Sequence, residues 1–83
     1  MLRVIVMYER IRGLREDKDL TQQAIADLLN VTQTTYSRYE SGVLDIPSVS
    51  LIELANFHKT SIDYLVGLTD EKKPYQRKVK KGN

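Results

Sequence analysis

Cysteine and tryptophan are absent from this 83-residue chain, and histidine and phenylalanine occur once each. Without cysteine there is no disulfide and no thiolate metal site, which points to an intracellular protein held by packing alone. A lone His58 brings no partners with it, so neither a catalytic dyad nor a metal centre is expected, and it reads as a packed or half-buried structural histidine. No Gly-rich phosphate loop is present, and Glu9, Glu16 and Asp17 are most simply the polar side of one helix. Catalysis and cofactors are therefore not expected. The longest apolar run, Val4 to Met7, is far shorter than the roughly 20 residues a membrane span needs. With no secretory signal pattern either, the expected location is the cytoplasm and no membrane partner is expected.

What is present is charge, unevenly divided. The formal total is +2, but residues 1–71 carry seven Lys and Arg against eleven Asp and Glu, a balance of −4, whereas residues 72–83 carry six cations and no acid. Net charge is thus a poor guide to partners, and any nucleic-acid binding depends on where a few cations and helix N-termini point. The length allows one small domain near the lower limit for an unstapled core.

The most informative stretch is TQQAIADLLNVTQTTYSRYESG, Thr21 to Gly42, which reads as two short helices joined by a tight turn. Thr21 is an N-cap candidate, and Ile25, Ala26 and Leu29 form one apolar face. Asn30 tolerates the left-handed backbone that ends a helix at once. Val31 re-enters the core and Thr32 is the next N-cap. Tyr36, Tyr39 and Glu40 then mark an inward face, while Gln33, Thr34, Ser37, Arg38 and Ser41 face outward. That outward set is neutral or cationic and rich in hydrogen-bonding groups, which suits a nucleic-acid groove.

The flanking segments follow the same logic. Met1 to Val6 is a short β-branched run with no partner segment, expected as an extension (residues 1–6) that is either loosely held, with Met7 an alternative start, or a strand-exchanging dimer arm. A helix is expected from about Met7 to Asp17, with Met7, Ile11 and Leu14 inward and Glu9, Arg10, Arg12 and Glu16 outward; Gly13 weakens it slightly. Arg15 sits beside the apolar stripe, and an ion pair with Glu40 is the expected resolution. Gly42 ends the second helix of the Thr21 to Gly42 stretch, about residues 32–41. Pro47 and Ser48 start a helix whose inward positions are Leu51, Leu54, Ala55 and His58. Ser61 caps a short last helix with Asp63 in its first turn and Gly67 at its end. Tyr64, Val66 and Leu68 are more apolar than one small core needs, and are dimer-interface candidates unless they close the core. Residues 69–83 lack apolar periodicity and read as a basic, disordered tail, either lying along phosphates or solubilising the chain.

Together, RIRGLREDKDLTQQAIADLLNVTQTTYSRYESG and IPSVSLIELANFHKTSIDYLVGL, within residues 7–68, resemble the lambda-repressor and Cro type (Xre-type) helix-turn-helix family. The resemblance implies an all-α, compact five-helix DNA-binding domain with its third helix in a major groove. It further implies that Gln33, Thr34, Ser37 and Arg38 face base edges, that Gln22 touches phosphate with Thr21 and Thr32 beside it at the helix N-termini, and that Thr35, Ser41 and Val43 meet the backbone. Asn30 stands where the family commonly has Gly, Tyr36 where it has a smaller aliphatic residue, His58 where it has Leu or Tyr, and Val43 where Lys or Arg often supports phosphate binding. The implied function is a sequence-specific, double-stranded DNA-binding transcriptional regulator, a repressor acting as a homodimer on a palindromic operator, with no small-molecule ligand. The alternative is a protein-interaction module or antitoxin that keeps the fold with little or no DNA binding of its own. An acidic body and Val43 favour that alternative.

Overall fold

The computed structural model describes the backbone of residues 2–74 and the side chains of residues 6–74. Five helices form among the described residues, α1 (Leu2–Asp17), α2 (Gln22–Leu29), α3 (Gln33–Ser41), α4 (Ser48–Phe57) and α5 (Ile62–Leu65). Three of them start at a hydroxyl. Thr21, Thr32 and Ser61 accept hydrogen bonds from the backbone N–H of Ala24 (3.0 Å), Thr35 (3.1 Å) and Tyr64 (2.9 Å). Each cap satisfies a donor that the first helical turn leaves unpaired. α4 begins behind Pro47 with no side-chain cap. Asn30 (φ 62°) and Gly42 (φ 82°) end α2 and α3 in the left-handed region.

The core is one cluster to which every helix contributes: Ile11 and Leu14 from α1, Ile25, Ala26 and Leu29 from α2, Tyr36 and Tyr39 from α3, Leu54 and Ala55 from α4, and Leu65 from α5. Ile46 seals it from the α3–α4 loop. The rings of Tyr36 and Tyr39 meet edge to face at 6.3 Å, the arrangement aromatic quadrupoles favour. The bulk of Tyr36, which is fully buried, is therefore accommodated by a second aromatic ring.

At the N-terminus the structure corrects the expected boundary. The backbone is helical from Leu2, so residues 2–6 continue α1 rather than forming a strand arm. Val4, Ile5 and Val6 each cost only a few tenths of a kcal/mol in a helix, and extending an existing helix needs no new nucleation.

Arg10 is a second correction. Placed outward by periodicity, it instead turns inward to hold the end of the domain. Its Nη1 donates to the carbonyls of Tyr64 (2.6 Å) and Thr69 (2.7 Å), its Nη2 donates to Asp70 (2.7 Å), and its guanidinium lies 4.1 Å from the Tyr64 ring centroid. The expected tail accordingly does not leave the body at residue 69. Thr60 also donates to the Lys72 carbonyl, so the segment is held through Lys72; residues 75–83 lie outside the described residues.

Arg15 and Glu40 tie α1 to α3. Arg15 Nε donates to Glu40 Oε2 at 2.7 Å and Nη2 to Glu40 Oε1 at 3.1 Å, while Nη1 donates to the Leu20 carbonyl at 2.8 Å. Both side chains are largely buried, at 13% and 4% exposed. Replacing one partner strands the other charge in the interior, so Arg15→Met is expected to cost about 3–5 kcal/mol in denaturant unfolding, with a smaller loss when Glu40 is made apolar as well.

Glycine substitutions are expected to separate by sign. Ala at Gly13 meets nothing within 4 Å and should stabilise by about 0.5–1 kcal/mol. Ala at Gly42 must hold a left-handed backbone and overlaps the Tyr8 ring, costing about 1–3 kcal/mol on the same unfolding curves.

Acid should also unfold the domain through His58, which is 5% exposed. Burial, with the charges of Lys18 and Lys72, pushes its ring down from 6.5 to about 4. The unfolded chain therefore binds a proton there before the folded one does. Stability from this group is complete above pH 6.5 and falls as pH drops through about 4. His58→Leu should flatten the thermal melting temperature across that window.

Candidate nucleic-acid interface

α2 and α3 are joined by three residues, Asn30 to Thr32, and the Val31 N–H bonds back to the Ala26 carbonyl at 2.9 Å. Val31 packs half-buried against the core. This short connection, closed at both ends by backbone geometry, fixes the angle between two helices that are individually too short to persist alone.

On α3 the inward and outward sets separate as the 3.6-residue period demands. Tyr36, Tyr39 and Glu40 are buried. Gln33, Thr34, Arg38 and Ser41 are exposed, with Ser37 half-buried at the edge facing α1. Thr21 and Thr32 are exposed at the helix starts, and Thr35 is half-buried beside Thr32, whose hydroxyl donates to it at 3.0 Å. Ser41 returns its hydroxyl to the Arg38 carbonyl at 3.2 Å. Val43 is 73% exposed just beyond α3.

Periodicity did not indicate that the outward face is wired to the buried ion pair. Gln22 Nε2 donates to Glu40 Oε1 at 3.1 Å, and Gln33 Nε2 donates to Gln22 Oε1 at 2.8 Å. The sense of this relay follows from the carboxylate. An ionised Glu40 can only accept, so Gln22 must turn its amide nitrogen inward and its oxygen outward. That oxygen then selects the amide nitrogen of Gln33, which keeps its own oxygen and a second N–H free to face away from the protein.

Glu40 is ionised for a stated reason. Burial alone would raise its pKa, but hydrogen bonds led by Arg15, with Gln22 contributing, reverse the balance and hold it below 4.5. The same pairing raises Arg15 above its ordinary value. Tyr36 is driven up by burial and by the nearby carboxylate, so its phenol stays neutral. A carboxylate in the last turn of α3 opposes the helix dipole, and the guanidinium offsets that as well.

The three dimer-interface candidates near the C-terminal end of the domain differ in exposure. Tyr64 lies under Arg10 and against the core, Val66 is half-buried, and Leu68 is 56% exposed. More exposed still is Val49, at 64%, with Ile52 at 46% on the same side of α4. Among the described residues no group of three His, Asp or Glu side chains is placed to hold a metal ion, and no helix is long and apolar enough to cross a membrane.

This geometry has known counterparts. A helix-turn-helix family model matches residues 11–65. The chain is 36% identical over 73 residues to an uncharacterised HTH-type transcriptional regulator of Bacillus subtilis, YqaE, covering 88% of this chain and 63% of the relative. It is 34% identical over 76 residues to the transcriptional repressor RstR of the cryptic phage CTXphi in Vibrio cholerae, covering 88% of this chain and 67% of that one. The chain thus spans 63% and 67% of the lengths of these two relatives, under two thirds of the first.

Among solved structures, a transcriptional regulator from Listeria innocua superposes with a TM-score of 0.71 at 33% identity, covering 90% of this chain and 64% of its own. The P22 c2 repressor, solved in complex with a synthetic operator, superposes with a TM-score of 0.68 at 28% identity, covering 74% of this chain and 92% of its own. The chain belongs to the lambda-repressor-type helix-turn-helix family of transcriptional regulators.

Proposed function

We propose that this chain is a sequence-specific DNA-binding repressor that acts as a homodimer, each protomer laying α3 in a major groove. The observation that carries this reading is the relay from Arg15 through Glu40 and Gln22 to Gln33. It holds a solvent-facing glutamine in one orientation, with an acceptor and a donor side by side. That pair complements N6 and N7 of adenine, a contact worth about 1–3 kcal/mol of discrimination. Arg38, exposed one turn further along α3, suits the O6 and N7 of guanine, and Thr34 suits a thymine methyl. Ser37 borders the same face.

Positioning falls to groups that recognise phosphate without regard to sequence. The N-termini of α2 and α3 present backbone amides beside Thr21, Gln22, Thr32 and Thr35, and such helix starts attract anions. Ser41 and the loop at Val43 flank the other end of α3. One such head spans only a few base pairs, so useful specificity calls for two heads about 34–36 Å apart on a palindromic operator. The repressor of the phage CTXphi among the relatives, and the operator bound in the P22 c2 structure, support the same role for this chain. The reading places its action in the cytoplasm, with DNA as its partner and no cofactor.

A competition titration on duplexes drawn from a random pool tests the assignment. Gln33→Ala is expected to flatten preference between sites by about 1–3 kcal/mol. Gln22→Ala should weaken all sites and flatten preference less. Because their amides touch, the double variant should fall short of the sum of the two losses. Retained preference in Gln33→Ala would remove its role, and binding of no duplex by the unaltered protein would favour the interaction-module alternative.

A further inference from the structure

Beside the outward face of α3 runs an open groove of about 320 Å³ between that helix and α1. Arg12 of α1 lines it opposite Ser37 and Ser41 of α3. By helical periodicity Arg12 belongs merely to the solvent side of α1. The fold gives it a more specific address, at the flank of the reading helix.

The cations of the body are few, and most are committed elsewhere. Arg10 is spent on Tyr64, Thr69 and Asp70, and Arg15 on Glu40. Lys18 lies over the Phe57 ring at 5.9 Å, and Lys59 sits in the turn after α4. Among residues 6–71, Arg38 stands on the reading helix and Arg12 lines the groove beside it.

Two carboxylates share the groove and must be weighed. Glu40 has both oxygens engaged, by Arg15 and Gln22, and is 4% exposed, so it presents little free charge to a ligand. Glu16 lies 3.9 Å from both Arg12 and Arg15 and is 60% exposed. The Arg12–Glu16 pair has the cation N-terminal to the acid, the weaker order on a helix, and both side chains are well exposed, so the pair is weak. Arg12 can leave it at little cost. A guanidinium and the Ser37 hydroxyl on the walls of one open groove fit a tetrahedral oxyanion, which accepts from both, and the Ser41 hydroxyl adds a third donor once it turns away from the Arg38 carbonyl.

Resting on the DNA-binding reading above, we propose that Arg12 is a phosphate-contacting residue, gripping, with Ser37 and Ser41, a backbone phosphate at the edge of the groove that α3 enters. α1 then takes part directly in binding, and the phosphate spans the same α1–α3 junction that Arg15 and Glu40 hold closed from inside.

The test is the salt dependence of binding to a preferred duplex and to a scrambled one, for the full chain, Arg12→Gln and Arg12→Lys. Losing one phosphate contact should lower the log–log slope by about 0.9 for each bound protomer. The Arg12→Gln deficit should accordingly narrow roughly 3.5-fold per protomer between about 50 and about 200 mM salt, equally on both duplexes. Arg12→Lys, which keeps the charge, should retain the slope. An unchanged slope in Arg12→Gln, a slope lost equally in Arg12→Lys, or a loss confined to the preferred duplex would overturn the assignment of Arg12 alone. If the unaltered protein binds neither duplex, the DNA-binding reading falls and this inference with it.

Discussion

The contact between Arg15 and Glu40 is the constraint on which the rest of this small domain depends. A carboxylate that is 4% exposed at the C-terminal end of a helix is doubly unfavourable, since it is desolvated and set against the negative pole of the dipole. A bidentate guanidinium leads the hydrogen bonds that reverse that balance, and it must arrive from another element. The residue that supplies it stands in the last turn of α1, so the two helices can adopt one relative position and few others. Because the pair adds little net stability over an apolar replacement, its value lies in geometry. It fixes where α3 points, and through Gln22 it fixes which way the Gln33 amide is turned.

Much of this fold was legible because its signals are local. Caps at Thr21, Thr32 and Ser61 and left-handed stops at Asn30 and Gly42 depend on the chemistry of one residue and its neighbours within a turn. Arg15 and Glu40 were also readable, since a charge at an inward position has few other resolutions. Where the reading failed, the cause was not local. The helical start at Leu2 runs against β-branched preference because a long helix overrides a small per-residue cost. Arg10 sits at a polar register position, yet its partners Tyr64, Thr69 and Asp70 lie more than fifty residues away, and no periodicity within α1 can reveal them.

The candidate interface divides along the same line. Which residues of α3 face outward follows from the period of the helix. The relay through Gln22 does not, because Gln22 and Gln33 are eleven residues apart on different helices and neither carries a charge that demands a partner. Nor does the place of Arg12, which depends on how α1 and α3 cross. Even the surplus apolar residues follow this rule. Tyr64 is absorbed by Arg10, a contact visible only in three dimensions, and the exposed apolar residues of α4, Val49 and Ile52, had no signal beyond composition.

The charge distribution sets a further condition on any DNA-binding role. Non-specific affinity grows with the number of phosphates neutralised, and a body carrying −4 over residues 1–71, with two of its arginines engaged internally, has little of it to offer. Discrimination between sites depends on the difference between specific and non-specific binding, so a poor electrostatic background sharpens the contribution of each neutral hydrogen bond at a base edge. Orientation then matters more than charge. A glutamine free to rotate would offer donor and acceptor in either order and would spend its binding energy on being ordered. One held by a buried carboxylate has already met that cost in the fold, so under the DNA-binding role proposed above the ion pair that organises the core also sets how sharply the outer face discriminates.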